Sequence, residues 1–216
     1  MAKPTLRSLT LAIGAVIAAG LPFGPGAAAA NFTVSSGDEL KKAVNRARAG
    51  DIITVLPGTI LVDGGTKIQT QNAGREDAPI TIRANRLGDA TIRVNRPAGI
   101  EVIRPYWVVE NLSIVGACKP ASHADCEHAF HVVGNADHLH LRNVRLVDFN
   151  AAIKGNGFGP QGKRDYPDHV TIERSFIYNT QARNTRSPVT PIDVVGGKHW
   201  VVRGNLIADY ERLGRS

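Results

Sequence analysis

Apolar residues along the chain fall into short runs with a period of two, and these runs repeat. The segment from Trp107 to Ile114 has apolar residues at its first, third, sixth and eighth places. Similar segments follow at offsets of 32, 31 and 30 residues. The clear copies begin at Trp107, Leu139, Val170 and Trp200, and weaker ones begin at Ile52 and Ile80. Because a period of two is typical of β-strands, each copy predicts two short strands that flank a bend.

A third short apolar run precedes each of these pairs. These runs begin at Ile100, Phe130, Ala151 and Ile192. Three strands in every turn of about 30 residues, without a crossover helix, are typical of an all-β, right-handed parallel β-helix in which each coil stacks on the next. A β-sandwich is the alternative fold, but hairpin dipeptides such as Asn-Gly are nearly absent between the runs. The repeat therefore predicts five to six stacked coils over residues 52–210.

The two ends of the predicted β-helix differ. Residues 37–49 have one apolar face, with Ser35 or Ser36 placed to cap a short helix and Gly50 placed to end it. Such a helix would cover the open end of the first coil. The last ten residues, 207–216, offer no comparable cap, so we expect either that the chain is a fragment or that a partner protects its last coil.

Residues 1–30 have the features of a secretory signal peptide. Lys3 and Arg7 precede an apolar run over residues 9–21, and four alanines occupy positions 27–30. An uncleaved membrane anchor is the alternative, but the run is shorter than the roughly 20 residues that a bilayer span needs. The sequence predicts a β-helix domain over residues 31–216 that is secreted or periplasmic and has no membrane span.

Cys118 and Cys126 are eight residues apart in a polar stretch. In an oxidising compartment two close cysteines on a loop usually form a disulfide, which is the favoured interpretation. Zinc is the alternative, because His123, His128 and His131 are nearby. The spacing matches none of the usual zinc motifs, so no metal site is predicted there.

Composition and charge narrow the classes of partner. With 43% hydrophobic and 21% charged residues, the chain is unlike a disordered protein. Its formal net charge is +7, of which the predicted signal peptide contributes two. A basic exported protein can meet acidic polysaccharide, anionic lipid or nucleic acid. No nucleic-acid motif with aromatic residues interleaved among basic ones is present, so nucleic acid is not predicted as a partner.

Four segments resemble the N-terminal coils of secreted bacterial polysaccharide lyases of family six, the chondroitinase B and alginate lyase type, which have a pectin lyase-like fold. The resemblance covers about residues 32–116. Its segments are Asp38-Glu-Leu-Lys-Lys-Ala, Ala49-Gly-Asp-Ile-Ile-Thr-Val-Leu-Pro-Gly-Thr, Ala78-Pro-Ile-Thr-Ile-Arg-Ala and Trp107-Val-Val-Glu-Asn-Leu. It implies binding of uronate-containing polysaccharide, and cleavage by β-elimination if the protein is an enzyme.

The sequence also departs from that family. The family's catalytic lysine stands in an Asn-Lys-Ser context, which does not occur here. The paired aspartates that β-helix glycoside hydrolases use as acid and base are also missing as a clear motif. Two classes of function therefore stay open: a lyase, whole or truncated before its catalytic coils, and a non-catalytic β-helix for glycan binding or surface interaction.

The candidate catalytic residues lie on the outward face of the third strand. Aligning Ile100, Phe130, Ala151 and Ile192 places His131, Lys154 and Asp193 on neighbouring coils. β-Elimination needs a base and a cation that neutralises the substrate carboxylate. Lys154 or His131 is the candidate base, and a solvated polar surface is the alternative interpretation.

Two insertions, residues 155–168 and 178–191, interrupt the coils, and long loops on one side of a solenoid commonly form its binding face. We expect a basic groove for acidic polysaccharide there, and the alternative is a flexible surface loop. The candidate substrate-binding residues are Lys163, Arg164, Arg183 and Arg186. No cofactor is firmly predicted. Calcium is the candidate ion, with Asp165, Asp168 or Glu127 as ligands, although the sequence shows no ordered loop of oxygen ligands.

Overall fold

A computed structural model describes residues 28–214, and they form stacked coils of parallel strands around one apolar core. The strands form three sheets: the first has seven strands, the second six and the third five, and five of the coils contribute one strand to each sheet. Every pairing between these strands is parallel, which confirms the predicted all-β, right-handed parallel β-helix.

The secondary-structure elements are short, as the period-two runs predict. The helix α1 is Gly37–Arg46, and a 3₁₀ segment occupies Pro120–Asp125. The strands are β1 Asn31–Val34, β2 Ile52–Val55, β3 Gly58–Val62, β4 Ile68–Gln69, β5 Ile80–Arg83, β6 Ala90–Val94, β7 Ala98–Val102, β8 Trp107–Glu110, β9 Ser113–Gly116, β10 His128–Val133, β11 His140–Arg142, β12 Arg145–Val147, β13 Ala151–Asn156, β14 Thr171–Glu173, β15 Phe176–Tyr178, β16 Thr190–Val194, β17 Val201–Arg203 and β18 Leu206–Ala208. The first sheet has the order β1-β2-β5-β8-β11-β14-β17, the second β3-β6-β9-β12-β15-β18 and the third β4-β7-β10-β13-β16.

The helix α1 lies at the start of the first coils, as expected. The Ser36 side chain accepts a hydrogen bond from the backbone N–H of Glu39, at 3.2 Å, and so caps its first turn. Leu40 and Val44 are fully buried in the core. The helix ends at Arg46, three residues before the predicted end, because the chain leaves helical geometry at Ala47.

In four successive coils, two corners have backbone in the left-handed region. One or two residues before the first-sheet strand, φ lies between 56° and 60°, at Tyr106, His138, His169 and His199. Their rings stack with centroids 4.5 to 4.8 Å apart. The residue after the same strand is also left-handed, at Asn111, Asn143, Arg174 and Gly204. Few non-glycine residues adopt this conformation, so the two corners are a constraint repeated in these four coils.

The structure corrects two details of the predicted repeat. In the last two copies the sixth place is polar, and Ser175 and Asn205 use it to bond the neighbouring coil: Ser175 Oγ accepts from the N–H of Val144 at 3.1 Å, and Asn205 Oδ1 accepts from the N–H of Ser175 at 2.9 Å. In the third sheet, Ile153 and not Ala151 pairs with Phe130 and Ile192. The sequence alignment of β13 was therefore wrong by two residues, because both registers place apolar residues inward.

The disulfide between Cys118 and Cys126 is present, as predicted. It closes the segment that links β9 to β10 and contains the 3₁₀ turn. Both thiols are consumed by this bond, so neither acts as a zinc thiolate. Within residues 28–214, no helix is long and apolar enough to cross a membrane. Most of the predicted signal peptide lies outside the described residues.

Candidate functional site

The outer face of the third sheet carries one row of polar side chains, one from each coil. The observed register places Gln69, Glu101, His131, Lys154 and Asp193 side by side. Successive side chains of a strand point to opposite faces of the sheet, so the residue that precedes each of these five points to the inner face. Each of those preceding residues is apolar. At a spacing of about 4.8 Å between strands, the row is about 19 Å long. Thus the three candidate catalytic residues lie on adjacent coils, as predicted.

Most side chains of this row are already paired. Glu101 accepts a hydrogen bond from Gln69 Nε2 at 2.8 Å and forms an ion pair with Lys67 at 3.0 Å. Lys154 Nζ lies 2.5 Å from Asp193 Oδ2. The side chain of Lys154 is therefore engaged by a carboxylate of the next coil, which places it as a cation in the row.

His131 is the exception in the row. Its Nε2 is buried and has no hydrogen-bond partner among the described residues. Burial lowers the pKa of His131 below its ordinary value of 6.5, and the nearby His128 and Lys154 lower it further, against an opposing effect of Glu101. The imidazole is therefore neutral at physiological pH and able to accept a proton. This makes His131 the better candidate base.

The two insertions lie at opposite edges of the third sheet. The first follows β13 and stands at the carboxyl ends of the strands, whereas the second precedes β16 and stands at their amino ends. The first is held by an antiparallel bridge between Phe158 and Asp165 and by a hydrogen bond from Trp200 Nε1 to the Pro167 carbonyl, at 2.7 Å. The second is held by Ser187, whose hydroxyl donates to Glu127 at 2.8 Å.

Two adjoining clefts follow the edge where the first insertion stands. The upper cleft has a volume of about 660 Å³ and includes Glu101 and His131 from the polar row. The lower cleft has a volume of about 530 Å³ and includes Arg164 and Lys198. Asn135 and Asp165 line both clefts, so the two adjoin, and together they are called the groove.

The charge of this groove differs from the basic groove expected from the sequence. The upper cleft is lined by two acidic residues, Glu101 and Asp165, and one arginine, Arg104, and Glu101 is already paired with Lys67. In the lower cleft the carboxylates of Asp137, Asp165 and Asp168 outnumber the cations of Arg164 and Lys198. The groove has mixed charge because the first insertion and the coil corners place acidic side chains beside the basic side chains that the sequence predicted there.

The four predicted substrate-binding cations occupy different places. Arg164 lines the lower cleft, and Lys163 is exposed on the same insertion. Arg186 is exposed at the opposite edge of the third sheet. Arg183 was expected to face the groove, but it is only 1% exposed. Its Nε donates to Asn150 Oδ1 at 3.1 Å, which holds the side chain inside the coil.

A second charged row covers the outer face of the first sheet. It consists of Arg83, Glu110, Arg142, Glu173 and Arg203, in which the sign of the charge alternates from coil to coil. Glu173 accepts hydrogen bonds from Arg203, Arg174 and the ring of His140. These bonds, that from Arg203 first, lower the pKa of Glu173 from 4.5 to about 2. Both glutamates of this row are thus paired with arginines of neighbouring coils, and Glu110 and Arg142 line a cleft of about 310 Å³, smaller than either cleft of the third sheet.

Sequence reasoning missed several residues of the groove. Phe158, Arg104 and Asn135 line the upper cleft, although none was a candidate. Phe158 had a visible signal, an aromatic residue among the glycines of an insertion, whereas Arg104 and Asn135 had none. Among residues 28–214, no group of three or more His, Cys, Asp or Glu side chains converges as a metal site would require. The calcium expectation stays a prediction.

Comparisons with known proteins agree with the fold. No family model matches the chain, and no curated protein does. A family-six polysaccharide lyase from Pseudopedobacter saltans is similar, with 22% identity, 80% of this chain and 36% of the other covered, and a TM-score of 0.50. A pectate lyase has 16% identity, coverages of 70% and 40%, and a TM-score of 0.51. A rhamnogalacturonan lyase has 13% identity, coverages of 83% and 51%, and a TM-score of 0.56.

These similarities show that the chain shares the parallel β-helix of polysaccharide lyases, as its segments resembling family six implied. At such identities they show the fold alone. The chain spans about a third to a half of the length of each of these proteins.

Proposed function

We propose that this protein is exported and acts on a uronate-containing polysaccharide, which binds along the groove at the edge of the third sheet. The observation that carries the proposal is the unpaired, neutral His131 between Glu101 and Lys154 at the floor of a walled groove. The lyase folds named above support a polysaccharide as ligand. The disulfide supports export, since such bonds persist in oxidising compartments.

The same arrangement supports β-elimination as the reaction. His131 takes the proton from the carbon next to the uronate carboxylate, and the electrons of that C–H bond form a carbon–carbon double bond. The bond to the glycosidic oxygen on the β-carbon breaks, and the leaving oxygen takes a proton from solvent. Lys154, on the next coil, stabilises the charge that develops on the carboxylate. Arg104 supplies a second cation at the rim of the upper cleft.

Binding without cleavage is the second candidate function. The observation that favours it is the ion pair between Lys154 and Asp193, which already neutralises the cation beside His131 in the polar row. A groove of mixed charge then retains a glycan through hydrogen bonds and apolar contacts and performs no chemistry.

Turnover of defined polysaccharides separates the two functions. We expect the protein to release unsaturated uronate, followed by its absorbance, and His131→Gln to lower the rate at least about 100-fold, which is typical for loss of a general base. His140→Gln is the matched control, because His140 lies on the first sheet and bonds Glu173. Because burial lowers the pKa of His131, the rate should persist below pH 6.5. No product from any uronate polymer, together with retained binding, would support the non-catalytic function.

A further inference from the structure

Arg183 is a buried arginine without a carboxylate partner. Its side chain is 1% exposed, and none of the ion pairs among the described residues includes it. The carboxylates of Asp148 and Glu127 attract it without forming an ion pair. They accept hydrogen bonds from Thr180 and Ser187 of the second insertion instead. Burying a charge without a partner of opposite sign is costly, so the buried guanidinium needs a further partner.

Arg183 belongs to a buried cluster that joins the second insertion to the segment closed by the disulfide. Its Nε donates to Asn150 Oδ1, and Asn150 Nδ2 donates to the carbonyl of His123 at 2.8 Å. The N–H of Asn184 donates to His123 Nδ1, also at 2.8 Å. Asn150 and His123 are both buried, at 0% and 1% exposure. These hydrogen bonds hold the arginine and the imidazole in one network.

The side-chain nitrogens that this cluster leaves without a partner are all donors. Because His123 Nδ1 accepts from the backbone of Asn184, the ring is neutral and its proton is on Nε2. That Nε2 is buried and has no partner in the described part of the chain, and the same holds for Arg183 Nη2 and Asn179 Nδ2. Asn179 lies beside the cluster, since its Oδ1 accepts from the N–H of Phe149 at 3.0 Å. Buried donors are normally satisfied, so these point to an acceptor.

A cleft of about 370 Å³ borders the cluster. Asn184, whose N–H bonds His123, is part of its lining. Arg186 and Arg212 also line it, and the described lining contains no acidic residue. Neither arginine forms an ion pair among the described residues. Two guanidinium groups without nearby acids raise the local concentration of anions beside the cluster.

We infer that this cluster binds a small monovalent anion, of the size of chloride, through Arg183 Nη2 and His123 Nε2. A water molecule would accept hydrogen bonds from these donors but would leave the guanidinium charge uncompensated, whereas chloride does both. One guanidinium and a neutral imidazole match a single negative charge. The anion holds the second insertion against the disulfide segment, at the edge of the third sheet opposite to the groove, so the site is independent of the proposed function.

Thermal melting of the full chain tests this site when chloride replaces the bulky anion gluconate at constant ionic strength. We expect the melting temperature to rise by at least about 4 °C as chloride increases from about 1 mM to about 100 mM. The reason is that a ligand that binds only the folded state stabilises it. A wild-type crystal soaked in bromide locates the ion through its anomalous signal, and the peak should lie beside Arg183 Nη2.

Arg183→Met keeps the length of the side chain and removes its charge. We expect this variant to lose the dependence of the melting temperature on chloride. The matched control is Arg93→Met, which removes the same charge from an exposed position on the second sheet and should keep the full dependence.

The outcomes decide between a specific site and a general effect of salt. Equal melting temperatures in chloride and gluconate would overturn the inference, and so would a bromide-soaked crystal without a peak beside Arg183. A chloride effect that persists in Arg183→Met would also overturn it. The bromide experiment uses the wild-type chain, so it decides the matter even if Arg183→Met does not fold.

Discussion

The outer faces of the first and third sheets have the same geometry, with one row of side chains along the coils, but the side chains of the two rows are paired to different extents. On the first sheet, acids and arginines alternate from coil to coil, and Glu173 alone gathers three partners. On the third sheet, the row contains the unpaired His131, and insertions stand at both of its edges. In a solenoid, paired side chains on one face can therefore stabilise the fold, while an unpaired side chain on another face stays available to a ligand. Three predictions test this contrast.

The largest effect on stability is expected at Glu173. Its side chain is only 6% exposed and meets two arginines and a histidine. Glu173→Gln keeps the shape but removes the charge, and we expect the free energy of unfolding to fall by about 1–2 kcal/mol, since both arginines stay largely hydrated.

Urea unfolding measures this loss, and polysaccharide binding at the third sheet should not change. The matched control is Glu76→Gln, because Glu76 is exposed and forms no ion pair among the described residues. A loss of binding in Glu173→Gln at full folding would contradict the separation of the two faces.

A pH dependence follows from the same residue. The pKa of Glu173 is lowered to about 2 in the folded chain against 4.5 ordinarily, so the unfolded state takes up its proton first as the pH falls. The stabilisation is complete above pH 4.5 and is lost as the pH falls towards 2. Unfolding curves of wild type and Glu173→Gln should differ most above pH 5 and converge near pH 2. A constant difference over that range would show that the charge of Glu173 does not stabilise the fold.

The smallest effect on stability is expected on the third sheet, at the ion pair of Lys154 and Asp193. Both side chains are partly exposed, at 19% and 30%, so Asp193→Asn should cost less than about 1 kcal/mol. The substitution also leaves the ammonium of Lys154 without its carboxylate partner. We therefore expect stronger retention of the variant on an immobilised uronate polymer at low salt. At high salt the difference from wild type should disappear, because salt screens the charge.

The control for this substitution is Asp77→Asn, which breaks the more exposed ion pair with Arg75 away from the groove. Retention that rises equally in both variants would reflect net charge alone. A large loss of stability in Asp193→Asn would mean that the third sheet, like the first, depends on its outer row.

The sequence alone determined the coils, because burying alternate residues of short strands leaves a period-two pattern that repeats with each turn. It also determined the capping helix and the disulfide, which depend on local residue choice and spacing. It identified His131, Lys154 and Asp193 as neighbours, although the alignment of β13 was wrong by two residues. Such a slip keeps the same residues facing inward, so hydrophobic pattern cannot detect it.

Only the tertiary structure decided which charges face the groove. Arg183 looked like a surface cation, yet its bond to Asn150, 33 residues earlier, holds it inside the coil. Glu101 comes from a strand of the third sheet and Phe158 and Asp165 from the first insertion, yet all three line the upper cleft. Such contacts join residues that are distant in sequence, and they depend on how far the chain advances in each coil and on the path of the loops. A local sequence pattern contains neither quantity. The charge of the groove is therefore known only from the stacked coils.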